Sequence, residues 1–261
     1  MEKNSGEVKK PDITMFFPAY NEEKNIPIII KSAEDVLKKF SNRHEILIVV
    51  YEGSKDNSIS AVREIEKKNK NVRLVLQQKS DKGVGAAIRL GFRTAKYPYI
   101  FYADSDNQFD VNEFEKFMPY LNDYDVIAGY RLKRNDPLSR IITSKVYNSI
   151  VKVIFGVRER DLDCAFRLVR KKFVDETRFI CRTGLATTEL LAKARKKGCR
   201  IKQIGVNHYP RKFGQPVFEG KVLNLPKFSV VVELLREMKL LHKDLKNYRK
   251  QQVINNKYNS N

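Results

Sequence analysis

The chain has 261 residues, 42% of them hydrophobic, enough for a sizeable core in one large domain or two small ones. Lys and Arg number 51 against 31 Asp and Glu, a formal net charge of +20, which points to an anionic partner: nucleic acid, an acidic membrane surface or a phosphorylated substrate. Three cysteines without C-x-x-C spacing indicate neither a disulfide framework nor a zinc site, so a reducing cytosol is expected. The N-terminal stretch "MEKNSGEVKKPD" has no apolar signal region, and no apolar run reaches the roughly 18 residues of a spanning helix. Any membrane is therefore expected to be met from the side.

Residues 1–10 read as a flexible tail. Apolar runs at "ITMFF", "EILIVV", "VRLVL" and "YIFYA" then alternate with helical patterns over about 24–40, 56–69 and 83–95. This βαβαβαβ order predicts an α/β fold, a largely parallel sheet with helices on both faces. In such sheets ligands bind beyond the carboxyl ends of the strands. The loops there are "PAYNEE", "YEGSKDNS", "QQKSDKGVGAA" and "DSDNQFD".

Taken alone, a D-x-D is more often an Asp-rich turn than a site, because Asp bonds its own backbone cheaply. Asp104 and Asp106 with Gln108 nevertheless form an oxygen-rich set of the kind Mg²⁺ or Mn²⁺ accepts together with substrate phosphates. Gly83 and Gly85 open a helix beside Lys82, an arrangement that suits an anion at exposed N–H groups, although simple helix-entry geometry explains such glycines more often.

From Pro137 to Phe155 a helix is expected, with Leu138, Ile141, Ile142, Val146, Ile150, Val153 and Ile154 on one side. Arg140, Ser144, Asn148 and Lys152 form a polar stripe. The apolar side either packs on the core or lies near lipid while Arg140 and Ser144 grip a phosphate. Glu189 is a candidate acid near the site or the i,i+4 partner of Lys193. Beyond Gly220, a basic amphipathic helix can press on an anionic membrane, cover the sheet or bind a membrane-protein partner. The final "NNKYNSN" reads as disordered.

The stretches "FFPAYNEEKNI", "IVVYEGSKDNS", "DKGVGAAIRLGF", "YADSDNQFD" and "AGYRLKR" resemble, in order, the motifs of inverting family 2 glycosyltransferases of the GT-A, Rossmann-like fold. Within that family the resemblance is to the dolichol-phosphate mannose synthase and polyprenyl-phosphate glycosyltransferase branch. It spans roughly residues 12–216 and implies a single catalytic domain over 11–220. The nucleotide-sugar half would be about 11–130 and the acceptor half about 131–220, with amphipathic helices at an interface and 221–261 as the basic helix and tail.

The resemblance also implies a nucleotide-sugar donor carrying GDP or UDP, Mg²⁺ or Mn²⁺, and a polyprenyl (dolichyl-type) phosphate acceptor at the cytoplasmic face of a membrane. Pro18, Tyr20, Glu22, Glu52, Lys82 and Asp104 would line the donor. Asp104, Asp106 and Gln108 would hold the metal, and Arg131, Arg140 and Ser144 the acceptor phosphate. Asp106, Arg131 and Arg211 would carry catalysis, with Arg211, Lys212 and Gly214 in a loop that closes over the donor. Asp163 and Arg167 would be structural partners within "DLDCAFR".

Two departures stand out: Tyr51-Glu52 replaces the usual Asp-Asp, which leaves donor base preference open, and Pro216 stands where Ser is common. The histidines His44, His208 and His242 offer no convincing base. A phosphate monoester needs none, being anionic at neutral pH with a second pKa near about 6. Direct inverting displacement by an acceptor phosphate is therefore expected. Transfer to a saccharide hydroxyl is the runner-up among enzymes. An inactive nucleotide-sugar sensor and a nucleic-acid binder are the rivals, the latter disfavoured because the basic residues are spread and no nucleic-acid module is present.

Overall fold

A computed structural model of the protein describes residues 10–132, 138–214 and 228–258, with side chains described over 10–132, 144–146, 148–214 and 231–248. Pro137, Pro216 and the side chain of Arg140 lie outside the described residues.

The first half follows the expected alternation. Strand β1 (Ile13–Ala19) leads to helix α1 (Ile26–Phe40), β2 (His44–Tyr51), α2 (Ser58–Glu66), β3 (Val72–Gln77), α3 (Val84–Thr94) and β4 (Tyr99–Ala103). A long 3-10 stretch over Val111–Tyr120 then precedes β5 (Val126–Arg131), α4 (Leu138–Phe155), β6 (Phe166–Arg170), α5 (Lys171–Asp175), α6 (Leu185–Lys196), β7 (Ile201–Val206) and α7 (Phe228–Tyr258).

The sheet order is β3-β2-β1-β4-β6-β5-β7. Every pairing is parallel except those of β6, which runs antiparallel to β4 and β5. The central strands are apolar at nearly every position because both sheet faces are covered. Alternate residues feed two cores. Phe16, Leu47, Val49, Ile100 and Tyr102 face one layer, while Met15, Phe17, Ile46, Ile48 and Phe101 face the other. The first core takes side chains from α3, α4, α6 and α7, and the second from α1, α2 and the 3-10 stretch.

This topology sets one edge for function. The carboxyl ends of β1, β2, β4, β5 and β7 share it, and the reversed β6 enters the sheet from the same side, with Phe166 opposite Ala103. The loop 156–165 is thereby carried next to the D-x-D segment. The strand order also changes direction at β1, between β2 and β4, which opens a crevice outside those strand ends.

Helix α7 buries Met238, Leu241 and Leu245 in the first core beside α6. It runs to Tyr258, so part of the terminal segment expected to be disordered is helical. No helix among the described residues is long and apolar enough to cross a membrane.

Candidate active site

The D-x-D turn is built by local chemistry. Asp106 Oδ1 accepts from Gln108 N at 3.1 Å, and Asn107 takes a left-handed conformation with φ +58°, which Asn tolerates better than most residues. Ser105 Oγ donates to Pro18 O at 2.7 Å and ties the turn to the end of β1. Asn107 Nδ2 donates to Asn25 Oδ1 at 3.0 Å, and Asn25 Nδ2 donates to Glu22 Oε2 at 2.6 Å. The loops after β1 and β2 are locked together in the same manner. Glu22 N donates to Ser58 Oγ at 2.9 Å, Glu23 N to Asp56 Oδ2 at 2.9 Å, and Lys55 N to Asn21 Oδ1 at 2.6 Å.

Three carboxylates are gathered here. Glu22 and Asp106 are buried and Asp104 is half-buried. Burial, then the Asp106 carboxylate, push the Asp104 carboxyl up to about 7, and burial likewise raises Glu22. Arg211, from the loop after β7, relieves part of this crowding. Its Nη2 donates to Glu22 Oε1 and its Nη1 reaches Asp106 Oδ2 at 3.4 Å. The same guanidinium donates through Nε to Phe213 O at 2.7 Å, just before Gly214 at φ +80°. The loop is anchored by Tyr209 N donating to Gln108 O at 2.8 Å and Gln108 Nε2 donating to Tyr209 O at 3.0 Å. His208 also lies at this edge, buried against the Phe109 ring 5.1 Å away, a proximity the sequence did not disclose.

No group of three or more His, Cys, Asp or Glu side chains among the described residues is placed to hold a metal by itself. Mg²⁺ and Mn²⁺ seldom need one, since one or two carboxylates and substrate phosphates complete their shell. Asp104 and Asp106 therefore fit a divalent cation that arrives with a diphosphate. The guanidinium of Arg211 now supplies the positive charge between Glu22 and Asp106.

Beside this cluster Arg131 ends β5. Its Nε and Nη2 donate to Asp161 at 2.6 and 2.8 Å, and its charge acts on Asp104. Ser144 Oγ donates to Asp163 Oδ2 at 3.0 Å, and the buried Asn148 bonds both Ser144 and Asp163 at 3.2 Å. Asp161, Asp163 and Asn148 thus frame Arg131 and Ser144, two of the three expected phosphate ligands. Sequence reasoning marked Asp163 only as a structural partner and missed Asp161, whose partner is 30 residues away. The polar stripe of α4 turns inward at Ser144 and Asn148, leaving Val146, Ile150, Val153 and Ile154 exposed; Val153 is 85% accessible.

Elsewhere the structure corrects the reading. Gly83 and Gly85 serve a close backbone approach: Gly85 N donates to Arg182 O at 2.8 Å, so this N–H is taken up within the chain. A Cβ on Gly83 would lie 2.3 Å from Arg182 O, and one on Gly85 2.7 Å from the carbonyls of Cys181 and Thr183. Lys82 is exposed next to them. Glu189 is not a site acid. It is fully buried, accepts from Ile180 N and Cys181 N at 2.8 and 2.9 Å, and pairs with Lys193 at 2.7 Å. Arg167 is also fully buried, donating to the carbonyls of Cys164, Leu162 and Thr187. Tyr20, Tyr51 and Glu52 gather at the ends of β1 and β2, where Glu52 Oε2 accepts from Lys79 N at 3.3 Å.

In an α/β sheet whose strand order reverses, ligands bind in the crevice beyond the strand ends, which is where the carboxylate and arginine cluster lies. A profile of glycosyl transferase family 2 matches residues 14–178, and the chain belongs to that family. It is 33% identical over 198 residues to an uncharacterized protein of Methanocaldococcus jannaschii, covering 70% of this chain and 82% of that one. It is 27% identical over 223 residues to the undecaprenyl-phosphate 4-deoxy-4-formamido-L-arabinose transferase of Yersinia enterocolitica, covering 85% of this chain and 66% of the transferase. The chain thus spans about two thirds of that transferase's length.

Among solved structures, it resembles glucosyl-3-phosphoglycerate synthase from Mycobacterium tuberculosis with Mn²⁺, UDP and phosphoglyceric acid, at TM-score 0.61 and 16% identity over 87% of this chain and 78% of the other. The same synthase with Mg²⁺ and UDP gives TM-score 0.56 and 16% identity over 79% and 73%. These likenesses establish the GT-A fold.

Proposed function

We infer that the protein transfers a sugar from a nucleotide-sugar donor to a polyprenyl phosphate, with inversion at the anomeric carbon. The observation that carries this reading is the juxtaposition of two differently built charge clusters. Glu22, Asp104 and Asp106 crowd negative charge that Arg211 only partly offsets. Arg131 and Ser144, each set by a carboxylate, lie at the same edge. Similarity to undecaprenyl-phosphate 4-deoxy-4-formamido-L-arabinose transferases supports the acceptor class.

Asp104 and Asp106, with Gln108 alongside, would hold Mg²⁺ or Mn²⁺, which when bound would supply Lewis-acid neutralisation of the donor diphosphate. The remaining roles belong to the chain. Arg131 and Ser144, with Arg140 on the same helix, bind the acceptor phosphate and aim one oxygen at the anomeric carbon. As that oxygen bonds to carbon, the bond to the diphosphate breaks and the nucleoside diphosphate leaves with the electron pair. Arg211 shifts from Glu22 and Asp106 onto the departing charge. Pro18, Tyr20, Glu22, Glu52 and Lys82 line the donor.

The acceptor also explains the exposed apolar side of α4. Val146, Ile150, Val153 and Ile154 lie on the helix that carries Ser144, so they meet the lipid surface from which the phosphate projects. The net charge of +20 favours an anionic cytoplasmic leaflet. The protein is accordingly peripheral, on its own or with a membrane-protein partner.

The test is incubation of purified protein with a panel of GDP- and UDP-sugars, Mn²⁺ or Mg²⁺, and a short polyprenyl phosphate, read by mass spectrometry. Lipid-linked sugar is expected. Transfer only to saccharide hydroxyls, or no product across the panel, would contradict the reading.

A further inference from the structure

The ends of β1 and β2 carry two aromatic rings: Tyr20, which lines the donor in the reading above, and Tyr51, to which that reading gives no role. The register pairs Ala19 with Val50, which sets Tyr20 beside Tyr51. Their ring centroids lie 5.8 Å apart at 56°, and both residues are half-buried. Neither hydroxyl makes a hydrogen bond among the described residues, so these side chains are held by their rings and not by their polar tips.

The Tyr51 ring is seated by glycine. A Cβ on Gly53 would fall 2.3 Å from Tyr51 Cε1 and 2.9 Å from Cζ, so any other residue at 53 would push the ring off its perch. The backbone around it is fixed, with Ser54 N donating to Tyr51 O at 2.9 Å and Glu52 N donating to Gln77 O at 2.9 Å. A ring so placed, at strand ends that border the crevice, offers a broad stacking face and a single hydroxyl, where a carboxylate offers two acceptor oxygens for the N–H groups of a base edge.

We propose that Tyr51 is the residue on which the nucleobase of the donor stacks, with Tyr20 at its edge, and that the base is gripped by stacking and little discriminated. This rests on the donor reading above. Stacking tolerates every base because each has a π-face, whereas hydrogen bonds to a base edge do not. Glu52, one residue on, is the carboxylate left to meet the nucleoside.

Binding of UDP, GDP, CDP and ADP, and of inorganic pyrophosphate as a probe without a base, is measured calorimetrically in Mn²⁺. Wild type is expected to bind the four nucleotides within about tenfold of one another. Y51F should retain these affinities, since the ring is kept. Y51A, and Y51L as a better-packed second variant, should weaken all four by about tenfold or more while pyrophosphate affinity stays unchanged. Y51D should widen the spread between bases.

Equal loss of nucleotide and pyrophosphate affinity in Y51A and Y51L would make Tyr51 a structural cap and overturn the proposal. So would a large loss in Y51F, unchanged nucleotide affinity in Y51A, or strong base discrimination by wild type. Failure of wild type to bind either nucleotides or pyrophosphate would instead overturn the donor reading itself.

Discussion

Two regions bury comparable charge and treat it in opposite ways. Around α6, Glu189 accepts two backbone N–H groups and one lysine, Lys193 pairs with Glu189 at 2.7 Å and Asp244 at 2.8 Å, and Arg167 is bonded to three carbonyls. On α7, Glu237 accepts from Arg182 N and Thr183 N at 2.7 and 3.2 Å and from Thr183 Oγ1 at 2.6 Å. At the strand ends, by contrast, three carboxylates crowd together, Arg211 pairs with two of them, and Asp104 is driven toward its neutral form in spite of the Arg131 and Arg211 charges. Buried charge whose partners are complete holds a fold together, and crowded charge of one sign is a place prepared for a ligand.

The contrast breaks most sharply under substitution. Asp106→Ala should reduce transfer by about 10²–10³-fold or more while leaving the circular dichroism spectrum unchanged, because the group lost acts on substrate charge and not on packing. Full activity in this variant would remove Asp106 from the site. Arg167→Ala should do the reverse. It strands three buried carbonyls, each costing about 1–3 kcal/mol, and lowers the urea midpoint strongly.

Lys193→Met leaves Glu189 buried without its cation, and a loss of about 3 kcal/mol is expected from chemical denaturation. Asp104→Asn should raise the metal-free Tm slightly, by the few degrees that correspond to about 1 kcal/mol, since it removes a like charge from the cluster. It should also abolish the further rise produced by Mn²⁺ with a nucleoside diphosphate. A lowered Tm in this variant would mean that the carboxylates are as well satisfied as those of α6.

The smallest effect lies at the far edge of the sheet. Asp12 accepts from Arg43 Nε and Nη2 at 3.1 and 2.6 Å, and these bonds hold its carboxyl below the ordinary value of 3.8. Its stabilisation is present above that value and is lost as pH falls through the lower folded pKa. Asp12→Asn should therefore flatten the acid limb of the stability curve slightly and change nothing at pH 7 in activity assays.

The sequence exposed the elements whose signals are local. The four apolar runs and three helical patterns became β1–β4 and α1–α3 because their periodicity is dictated by burial on two faces. The D-x-D turn and the i,i+4 pairing of Glu189 with Lys193 were equally visible. Long-range relations were hidden. Nothing near Glu237 announces that it caps residues 54 and 55 positions earlier, or that Arg182 O would fill the N–H of Gly85. The glycines are required as expected, yet for backbone contact. The reversed β6, which delivers Asp161 to Arg131, also depends on pairing that no short stretch encodes.

The central claim is that Glu22, Asp104, Asp106 and Arg211 form a seat for a divalent cation carrying a diphosphate. Its most direct test is a crystal structure with Mn²⁺ and a nucleoside diphosphate, the ion located by anomalous scattering. The account predicts manganese between the Asp104 and Asp106 carboxylates and the diphosphate, with Arg211 moved off Glu22. Manganese bound elsewhere, or Arg211 still bridging Glu22 and Asp106 with nucleotide present, would contradict it.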